Sequence, residues 1–506
     1  MTSTGLLIVS NVKRIQKSLN AIQKYVNNLY IHLNIPSSKI QPVPSWTKII
    51  SRIYSEGLTG TPQINLKILI TPLKTQLTNI GKQKIDMLFS DGRFPEICDS
   101  VRANFSIPSE TIFLTEESAS DVAEQQNHDK ETKMYDTVVL GGTFDRIHVG
   151  HKIFLTAAVL RACKRLVIGV TDENMLKTKR LPELILPVEK RIEDLKNFLL
   201  EIDSTLQYDI VPISDPFGPT KSDPDMDMIV VSAETLRGGH KVNELRAEKG
   251  LKKLDIFCID MVEDYSDDGV KELKISSSNT RIDLLGTRIK PKKPREHLPR
   301  EPYIIGLTGG IASGKSKMAQ RLHALGAYVM DCDKIAHEIY EPGQLCYEKI
   351  VEHFGNEIIA NDKTIDRVKL GSIVFSHPDE LEKLNSIVWP ELLVEVKRRI
   401  KLAYESSGTK IVVVEAAILL KAGWDTECHE VWSMIVSPEE AVRRVVERNN
   451  LSEEEARKRI ANQVDNHTVV KKSNVVFSSE WSPDYTQKQA EKAWTMITTE
   501  LKQTKA

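Results

Sequence analysis

The feature that most restricts how this chain can fold is the glycine-rich segment GLTGGIASGKS, Gly306–Ser316. Gly309, Gly314, Lys315 and Ser316 fit the spacing G-x-x-x-x-G-K-[ST] of a phosphate-binding loop. An apolar run precedes the segment and a helical pattern follows it, which is the strand–loop–helix context that such a loop requires. Lys315 can reach the outer phosphates of a nucleotide, and the hydroxyl of Ser316 can hold Mg²⁺.

Two features after the loop narrow the chemistry. The segment Tyr328–Asp333 is predicted to be a strand that ends in two carboxylates, at the edge where ligands bind in open α/β sheets. A carboxylate there can accept the proton of a substrate hydroxyl. A later helical run carries Arg443, Arg444 and Arg448. Their spacing spreads them around the helix axis, so we expect at least one of them to be a plain surface charge.

Together with HFG and IDR further on, these motifs resemble dephospho-CoA kinase over residues 303–479. The resemblance implies transfer of the γ-phosphate of ATP to the ribose 3′-hydroxyl of dephospho-CoA. It implies that Asp333 is the general base and that Arg448 is a lid arginine. The chain departs from the family at Trp389, where His is usual, and at Lys421, where an acidic residue is usual. The ATP-binding residues predicted for this site are Gly309, Gly310, Ile311, Ala312, Ser313, Gly314, Lys315, Ser316 and Arg448.

A second nucleotide motif, VVLGGTFDRIHVGH, occupies Val138–His151. It joins a predicted strand, a Gly-Gly turn and an H-x-G-H sequence at the start of a predicted helix. His148 and His151 lie three residues apart, so both can face one bound phosphate and stabilise the charge that develops at its phosphorus. Glycines in the turn and in H-x-G-H let the backbone approach the nucleotide.

This pattern is similar to the HxGH nucleotidyltransferases, and the segment ISSSNTR, residues 275–281, resembles their late serine-rich ATP loop. Phe144 is not followed by the Asn-Pro of nicotinamide-type members. The late loop lacks the threonine-rich pattern of cytidylyltransferases, whereas VSAETLRGG, residues 231–239, resembles the pantetheine-phosphate group. Residues 134–285 therefore resemble phosphopantetheine adenylyltransferase.

That resemblance implies that Arg237 contacts ATP phosphates. Either Lys177 or Lys179 would neutralise the phosphate of 4′-phosphopantetheine, and the spacing does not distinguish them. His148 and His151 are the predicted catalytic groups. The residues predicted to bind ATP or substrate are Gly141, Gly142, Thr143, Phe144, His151, Lys177, Lys179, Arg237, Gly238, Ser276, Ser277 and Ser278.

The first 133 residues show an α/β pattern but no nucleotide loop and no catalytic spacing. No acidic residue precedes Glu56, whereas seven Lys and Arg residues do. Transit peptides share this composition, which predicts peripheral mitochondrial association through the N-terminus; the alternative is a basic first helix after a strand. We therefore expect a cytoplasmic location, a mitochondrial one, or both. Since no candidate catalytic group lies there, we expect this segment to be dispensable for chemistry.

Strand and helix signals alternate along the 506 residues, which predicts the α/β class. We expect two parallel-sheet nucleotide-binding domains, one HxGH-type and one P-loop kinase, plus an N-terminal α/β segment. The 69 Lys and Arg balance 70 Asp and Glu, which argues against a nucleic-acid binder, and no apolar run reaches the ~20 residues of a transmembrane helix. The predicted divisions are 1–114, a linker 115–133, 134–286, a basic Pro-rich linker 287–302, and 303–498.

The two resemblances fit one pathway, because the product of the first reaction is the substrate of the second. The order of the two domains is similar to that of the animal bifunctional coenzyme A synthases. The expected substrates are 4′-phosphopantetheine, dephospho-CoA and ATP, with Mg²⁺ at both sites. Two alternatives stay open: a cytidylyltransferase fused to another small-molecule P-loop kinase, and a nucleotide-binding scaffold with one inactive site.

Overall fold

The computed structural model describes residues 3–34, 43–74, 84–115, 133–260 and 269–503. Within these ranges the strands form three sheets of five strands each, and the strand pairs that join them are parallel. The α/β class with parallel sheets is confirmed. The chain divides into two units, Met1–Thr280 and Arg281–Ala506. No helix of the described residues is long and apolar enough to cross a membrane.

The first sheet contains the beginning of the chain, and its strands lie in the order β3-β2-β1-β4-β5. Its elements are β1 (Thr4–Val9), α1 (Ile15–Ile22), β2 (Asn28–Leu33), α2 (Val43–Gly60), β3 (Asn65–Ile68), α3 (Thr71–Lys74), β4 (Met87–Ser90), α4 (Pro95–Phe105) and β5 (Thr111–Phe113). Its central strand β1 is apolar and buried, as expected for a parallel strand covered on both faces. The acid-free start of the chain thus forms a strand and then a helix. This confirms the alternative given above, a first helix that follows a strand. A mitochondrial location stays a prediction.

The second sheet has the order β10-β9-β6-β7-β8. Its elements are β6 (Tyr135–Gly142), α5 (Val149–Val159), β7 (Ala162–Thr171), α6 (Val188–Ile202), β8 (Gln207–Ile213), β9 (Met228–Ser232), α7 (Leu236–Glu248), β10 (Asp255–Ile259) and α8 (Ser277–Leu284). The winding direction changes at β6, because β7 lies on one side of it and β9 on the other. A crevice at the carboxyl ends of β6 and β9 is therefore the expected ligand site.

The first two sheets share one hydrophobic core rather than standing apart. The core joins side chains of α2, such as Ile53 and Tyr54, to side chains of β6 and α5 such as Val138 and Leu155. The backbone N–H of Ile70 also donates to the carbonyl of Ile202, at 2.8 Å. The predicted linker falls largely on residues 116–132, which lie outside the described residues. The first segment is therefore not structurally separate from the second sheet, and its dispensability for chemistry stays a prediction.

The third sheet has the order β12-β13-β11-β14-β15. Its elements are β11 (Tyr303–Gly309), α9 (Lys315–Ala324), β12 (Tyr328–Asp331), α10 (Cys332–Ile339), α11 (Leu345–Phe354), α12 (Arg367–Ser376), α13 (Pro378–Ser407), β13 (Ile411–Glu415), β14 (Glu430–Ile435), α14 (Pro438–Asn449), α15 (Glu453–Ala461), α16 (Asn466–Lys472), β15 (Val475–Ser478) and α17 (Pro483–Gln503). The central strand β11 is buried along its whole length.

The basic segment 287–302 is not a free spacer. Arg288 donates to the buried carboxylate of Glu430, with Nε at 3.0 Å from Oε1, and also pairs with Glu500. The backbone N–H of Ile289 donates to the carbonyl of Asn474 at 2.8 Å. The predicted linker therefore belongs to the second unit, and its basic side chains are used for docking onto that unit.

The ion pair between Lys74 and Asp203 offers a test of the interface between the first two sheets. The two side chains are 10% and 0% exposed, and Nζ lies 2.8 Å from Oδ2. Asp203→Ala leaves a buried ammonium without its carboxylate, so we expect it to lower the free energy of unfolding of the first unit by about 3 kcal/mol. Urea unfolding followed by hydrogen exchange of peptides from residues 135–213 measures this loss.

Asp136→Ala is the matched control, because the Lys164–Asp136 pair is 73% and 59% exposed. Its removal is expected to cost less than about 1 kcal/mol. Equal losses for the two variants would mean that the interface does not depend on Asp203.

Candidate active sites

The glycine-rich loop of the second unit connects β11 to α9, and its shape requires glycine at two positions. Gly309 has φ 157°, and a Cβ there would lie 2.6 Å from the carbonyl oxygen of Met434. Gly314 has φ 90° and caps α9. The loop thus turns tightly into a helix N-terminus, where backbone N–H groups and the helix dipole favour phosphate.

A cavity of about 1150 Å³ lies over this loop. It brings together every residue that the sequence predicted for the kinase site, and the chain supplies these residues from three separate segments. The predicted residues that line it are Gly309, Gly310, Ile311, Ala312, Ser313, Gly314, Lys315, Ser316, Asp333 and Arg448.

Glu415 is a site residue that the sequence analysis did not select. It ends β13, which lies beside β11, and it is 5% exposed. Its Oε1 accepts from Lys315 Nζ at 2.7 Å and from Ser316 Oγ at 2.6 Å. Carboxylate and hydroxyl oxygens are ligands that Mg²⁺ accepts, so Ser316 and Glu415 fit a magnesium site. The signal was a carboxylate at the end of a buried strand, but only the strand order shows that this strand is next to the loop.

The two aspartates after β12 have different environments. Asp331 is the N-cap of α10, and its Oδ1 accepts from the backbone N–H groups of Asp333 at 3.1 Å and of Lys334 at 3.2 Å. The strand therefore ends at Asp331, two residues earlier than predicted. Asp333 lies in the first helical turn, is exposed, and lines the cavity. Of the two carboxylates, Asp333 is thus the one placed to meet a substrate.

The three arginines of α14 also differ in their partners and positions. Arg443 is exposed and pairs with Glu440 and Glu447 on its own helix, which confirms that one arginine is a surface charge. Arg444 ties α14 to the loop, because it donates to the carbonyl of Ala312 at 3.1 Å and to Oγ of Ser479 at 2.6 Å. Arg448 lines the cavity near the helix end.

The two departures from the family pattern fall in different places. Lys421 is exposed and lines the cavity, so its positive charge faces the space over the loop. Trp389 lies within α13 and packs against the hydrophobic core of the unit. Only the departure at Lys421 therefore alters the charge of the cavity itself.

In the first unit, the H-x-G-H sequence forms the turn that begins α5. His148 is the N-cap of this helix, and its Nδ1 accepts from the backbone N–H of His151 at 3.4 Å. The two imidazole rings stack with centroids 3.8 Å apart. Since Nδ1 of His148 is used as an acceptor, its proton in the neutral form belongs on Nε2. A Cβ on Gly150 would lie 3.2 Å from the His148 ring. Glycine at this position therefore leaves the space that the ring occupies.

His151 is held in its neutral form. Burial, and then the neighbouring His148, lower the pKa of His151 well below its ordinary value. Its Nδ1 is shielded from solvent and has no hydrogen-bond partner among the described residues. A polar atom of this kind is costly unless something satisfies it.

The Gly-Gly turn is fixed by a buried arginine of α6. Arg191 is 1% exposed and donates to the carbonyls of Thr143 at 2.7 Å and Thr171 at 2.8 Å. Phe144 follows with φ 50° and is also buried. The predicted residues Gly141 and Gly142 thus end β6, and Thr143 and Phe144 follow it, with the Phe144 ring centroid 5.3 Å from that of His151.

The structure brings the late serine loop to the same place. Oγ of Ser277 donates to the carbonyl of Asp145 at 2.9 Å and lies 3.5 Å from Nε2 of His148. Ser276 caps the first turn of α8, since its Oγ accepts from the N–H of Asn279 at 3.2 Å. Ser276, Ser277 and Ser278 therefore sit at a helix N-terminus next to H-x-G-H.

The remaining predicted residues lie at the carboxyl ends of the flanking strands. Lys177 and Lys179 follow β7, and both are exposed. Arg237 and Gly238 lie in the first turn of α7, after β9, and are exposed as well. These four residues thus lie after the carboxyl ends of β7 and β9. Their assigned roles stay predictions.

The first sheet has the same strand order as the second, but a side chain of the chain itself fills its crevice. Asp91 is 1% exposed and follows β4. Its carboxylate accepts from the N–H groups of Ser10 at 2.9 Å and Asn11 at 2.8 Å, and from Oγ of Ser10 at 2.5 Å. The donors that a phosphate would use after β1 are therefore already occupied.

Comparison with known proteins assigns both nucleotide motifs. The family model described as dephospho-CoA kinase matches residues 303–482, and that described as cytidylyltransferase-like matches residues 139–282. A dephospho-CoA kinase of Carboxydothermus hydrogenoformans is 41% identical over 186 residues, which are 37% of this chain and 90% of that protein. One of Bacillus thuringiensis is 39% identical over 197 residues, which are 38% of this chain and 98% of that protein.

Among solved structures, the dephospho-CoA kinase of Campylobacter jejuni is 25% identical, covers 39% of this chain and 98% of its own, and has a TM-score of 0.32. The relatives of known sequence are matched over nearly their whole length. Through residues 303–482, the chain belongs to the dephospho-CoA kinase family, and it carries a cytidylyltransferase-like domain before them.

Proposed function

We propose that this chain is a bifunctional coenzyme A synthase. Its first unit transfers the adenylyl group of ATP to 4′-phosphopantetheine and gives dephospho-CoA and pyrophosphate. Its second unit transfers the γ-phosphate of ATP to the ribose 3′-hydroxyl of dephospho-CoA and gives CoA and ADP. The observation that carries the proposal is the presence, in one chain, of a dephospho-CoA kinase domain and a nucleotidyltransferase domain with its H-x-G-H turn formed.

In the kinase reaction, the 3′-oxygen forms a bond to the γ-phosphorus while the bond from that phosphorus to the β,γ-bridging oxygen breaks. Asp333 accepts the hydroxyl proton, as its exposed carboxylate in the cavity allows. The loop N–H groups and Lys315 hold the phosphates, and Arg448 neutralises charge that develops in the transition state. Mg²⁺ held through Ser316 and Glu415 would neutralise the phosphate oxygens.

In the adenylyl transfer, a phosphate oxygen of 4′-phosphopantetheine attacks the α-phosphorus of ATP and pyrophosphate leaves. His148 and His151 donate to the α-phosphate oxygens as negative charge builds up on them. Because burial keeps His151 neutral, its contribution is that of a fixed N–H dipole rather than of a cation. Ser276, Ser277 and Ser278 offer hydroxyl and backbone donors to the β- and γ-phosphates.

The acceptor of the first unit is proposed from chemistry rather than from a relative. The kinase domain needs dephospho-CoA, which adenylyl transfer to 4′-phosphopantetheine supplies. Exposed Lys177 and Lys179 at the crevice suit an acceptor that carries a phosphate. The family description also covers cytidylyl transfer, so the nucleotide must be tested directly. Mass analysis of the products from ATP or CTP with phosphopantetheine distinguishes the two.

The two activities should be separable by one substitution. Lys315→Ala is expected to lower kinase turnover by about 10²–10³, the loss for one preorganised donor, while dephospho-CoA accumulates from phosphopantetheine and ATP. Mass analysis of the products measures both. If dephospho-CoA formation falls equally in a folded variant, a model with two separate sites is wrong.

The two neighbouring aspartates give a matched pair. Asp333→Asn is expected to lower kcat of the kinase by about 10²–10⁴, because the proton acceptor is lost. Asp331→Asn should stay within about fivefold of the wild type, because Asn caps a helix as well as Asp does. Assays with supplied dephospho-CoA measure both variants. A larger loss for Asp331→Asn would reverse the assignment of the base.

His148 is expected to act as a transition-state donor. His148→Ala should lower the rate of adenylyl transfer by about 10²–10³, with a much smaller effect on ATP binding, because the donor serves mainly the transition state. The exposed His240 of α7 provides the control, His240→Ala, which should leave the rate unchanged. An adenylyl-histidine trapped on the wild-type enzyme but not on His148→Ala would instead establish covalent catalysis.

A further inference from the structure

Lys152 is a buried charge next to the predicted catalytic histidines. It follows His151 in α5 and is 9% exposed. Its Nζ donates to the carbonyl of Leu66 at 2.8 Å and to Oδ1 of Asn65 at 2.9 Å. Both partners belong to β3, the edge strand of the first sheet. A side chain of α5, the helix that begins at H-x-G-H, thus forms hydrogen bonds with β3 of the N-terminal segment.

The edge strand needs these partners. Half of the backbone groups of an edge strand point away from its sheet and must be satisfied elsewhere. The carbonyl of Leu66 is satisfied by Lys152, and the N–H of Ile68 donates to the hydroxyl of Tyr54 at 3.2 Å. The edge of the first sheet is therefore closed in part by the helix that carries the histidines.

Lys152 also belongs to the turn that presents those histidines. Its backbone N–H donates to the carbonyl of His148 at 3.0 Å, within the same turn in which the N–H of His151 donates to the His148 ring. One residue therefore makes a hydrogen bond of the H-x-G-H turn with its backbone and a hydrogen bond of the interface with its side chain. Movement of the N-terminal sheet would be passed directly to this turn.

The charge of Lys152 has few neighbours. Burial, and to a smaller extent the ammonium of Lys67, lower the pKa of Lys152 to about 8, while Glu201 opposes this. Lys67 and Glu201 pair with each other. The Leu66 carbonyl and the Asn65 amide oxygen are thus the direct acceptors that compensate the buried ammonium.

We propose that Lys152 is a positioning residue for nucleotidyl transfer, which ties the H-x-G-H turn to the N-terminal sheet and holds His148 and His151 against the nucleotide. This inference rests on the proposed adenylyl transfer. It gives the N-terminal sheet a role in the reaction although its own crevice is filled by Asp91. The role is mechanical support of the turn, not binding of a nucleotide.

The test compares variants of the full chain. Lys152→Met keeps the apolar stem and removes the donors, so kcat of adenylyl transfer should fall about 10- to 100-fold, as for misplaced catalytic groups. KM for ATP should change less than about threefold, because the histidines act mainly in the transition state. Lys152→Arg retains a cation and its donors and should recover most of the loss. Asn65→Ala, at an exposed position of the first sheet, should lower kcat about three- to tenfold and covers the case in which Lys152→Met does not fold.

Lys67→Met is the matched control. It removes the pair with Glu201 of α6 and one like charge near Lys152, but it leaves both acceptors of Lys152 Nζ in place, so kcat should stay within about twofold of the wild type. Hydrogen exchange of residues 148–153 gives a readout that requires no substrate. Exchange there should be faster in Lys152→Met than in Lys67→Met.

The outcomes separate this inference from the proposed function. If the wild type makes no dephospho-CoA, the proposed function is wrong, and the exchange of residues 148–153 alone decides whether Lys152 holds the turn. If Lys152→Met and Lys67→Met lose kcat equally, or if kcat falls in Lys152→Met with unchanged exchange of this turn, the positioning role is overturned.

Discussion

The whole chain depends on one constraint: a parallel sheet gathers the carboxyl ends of its strands at a single edge. Each of the three sheets has a central first strand, with later strands wound to either side of it. The loop that follows that first strand therefore lies where the winding changes direction, which is where ligands bind in such sheets. In the third sheet this loop is the glycine-rich loop, and in the second it is the Gly-Gly turn followed by H-x-G-H. In the first sheet the corresponding donors contact Asp91. Each sheet therefore has the same position available for a ligand, after its first strand. The residues of the local loop determine what occupies that position.

Motifs that are continuous in sequence could be predicted, because their chemistry is carried by residues that are near one another in any fold. The loop from Gly309 to Ser316 and the His148–His151 pair are of this kind. So is α14, in which one arginine was expected to be a plain surface charge. Glu415 could not be chosen in the same way, because a carboxylate at the end of a buried strand reaches Lys315 only when β13 lies beside β11. Lys152 was missed for a related reason: its acceptors are backbone and amide oxygens of a strand 86 or 87 residues away, and no local pattern reports such a partner.

Composition alone also misjudged how segments connect. The basic, proline-rich residues 287–302 have the composition of a stiff spacer, yet Arg288 reaches a fully buried carboxylate of the second unit. A charged segment that is solvated and one that is docked look alike until their partners are known. The N-terminal segment shows the same difficulty, because an absence of catalytic groups says nothing about support. Its side chains complete the core on which α5 packs.

The lowered pKa of His151 has a consequence for how the H-x-G-H turn responds to pH. An ordinary histidine changes charge within the physiological pH range, and a reaction that needs one form would slow or quicken as the surroundings acidify. Burial lowers the pKa of His151 well below its ordinary value, so we expect acidification to protonate this ring later than an exposed histidine. At one of its two histidines, the H-x-G-H turn is therefore less sensitive to acidification than an ordinary imidazole would be.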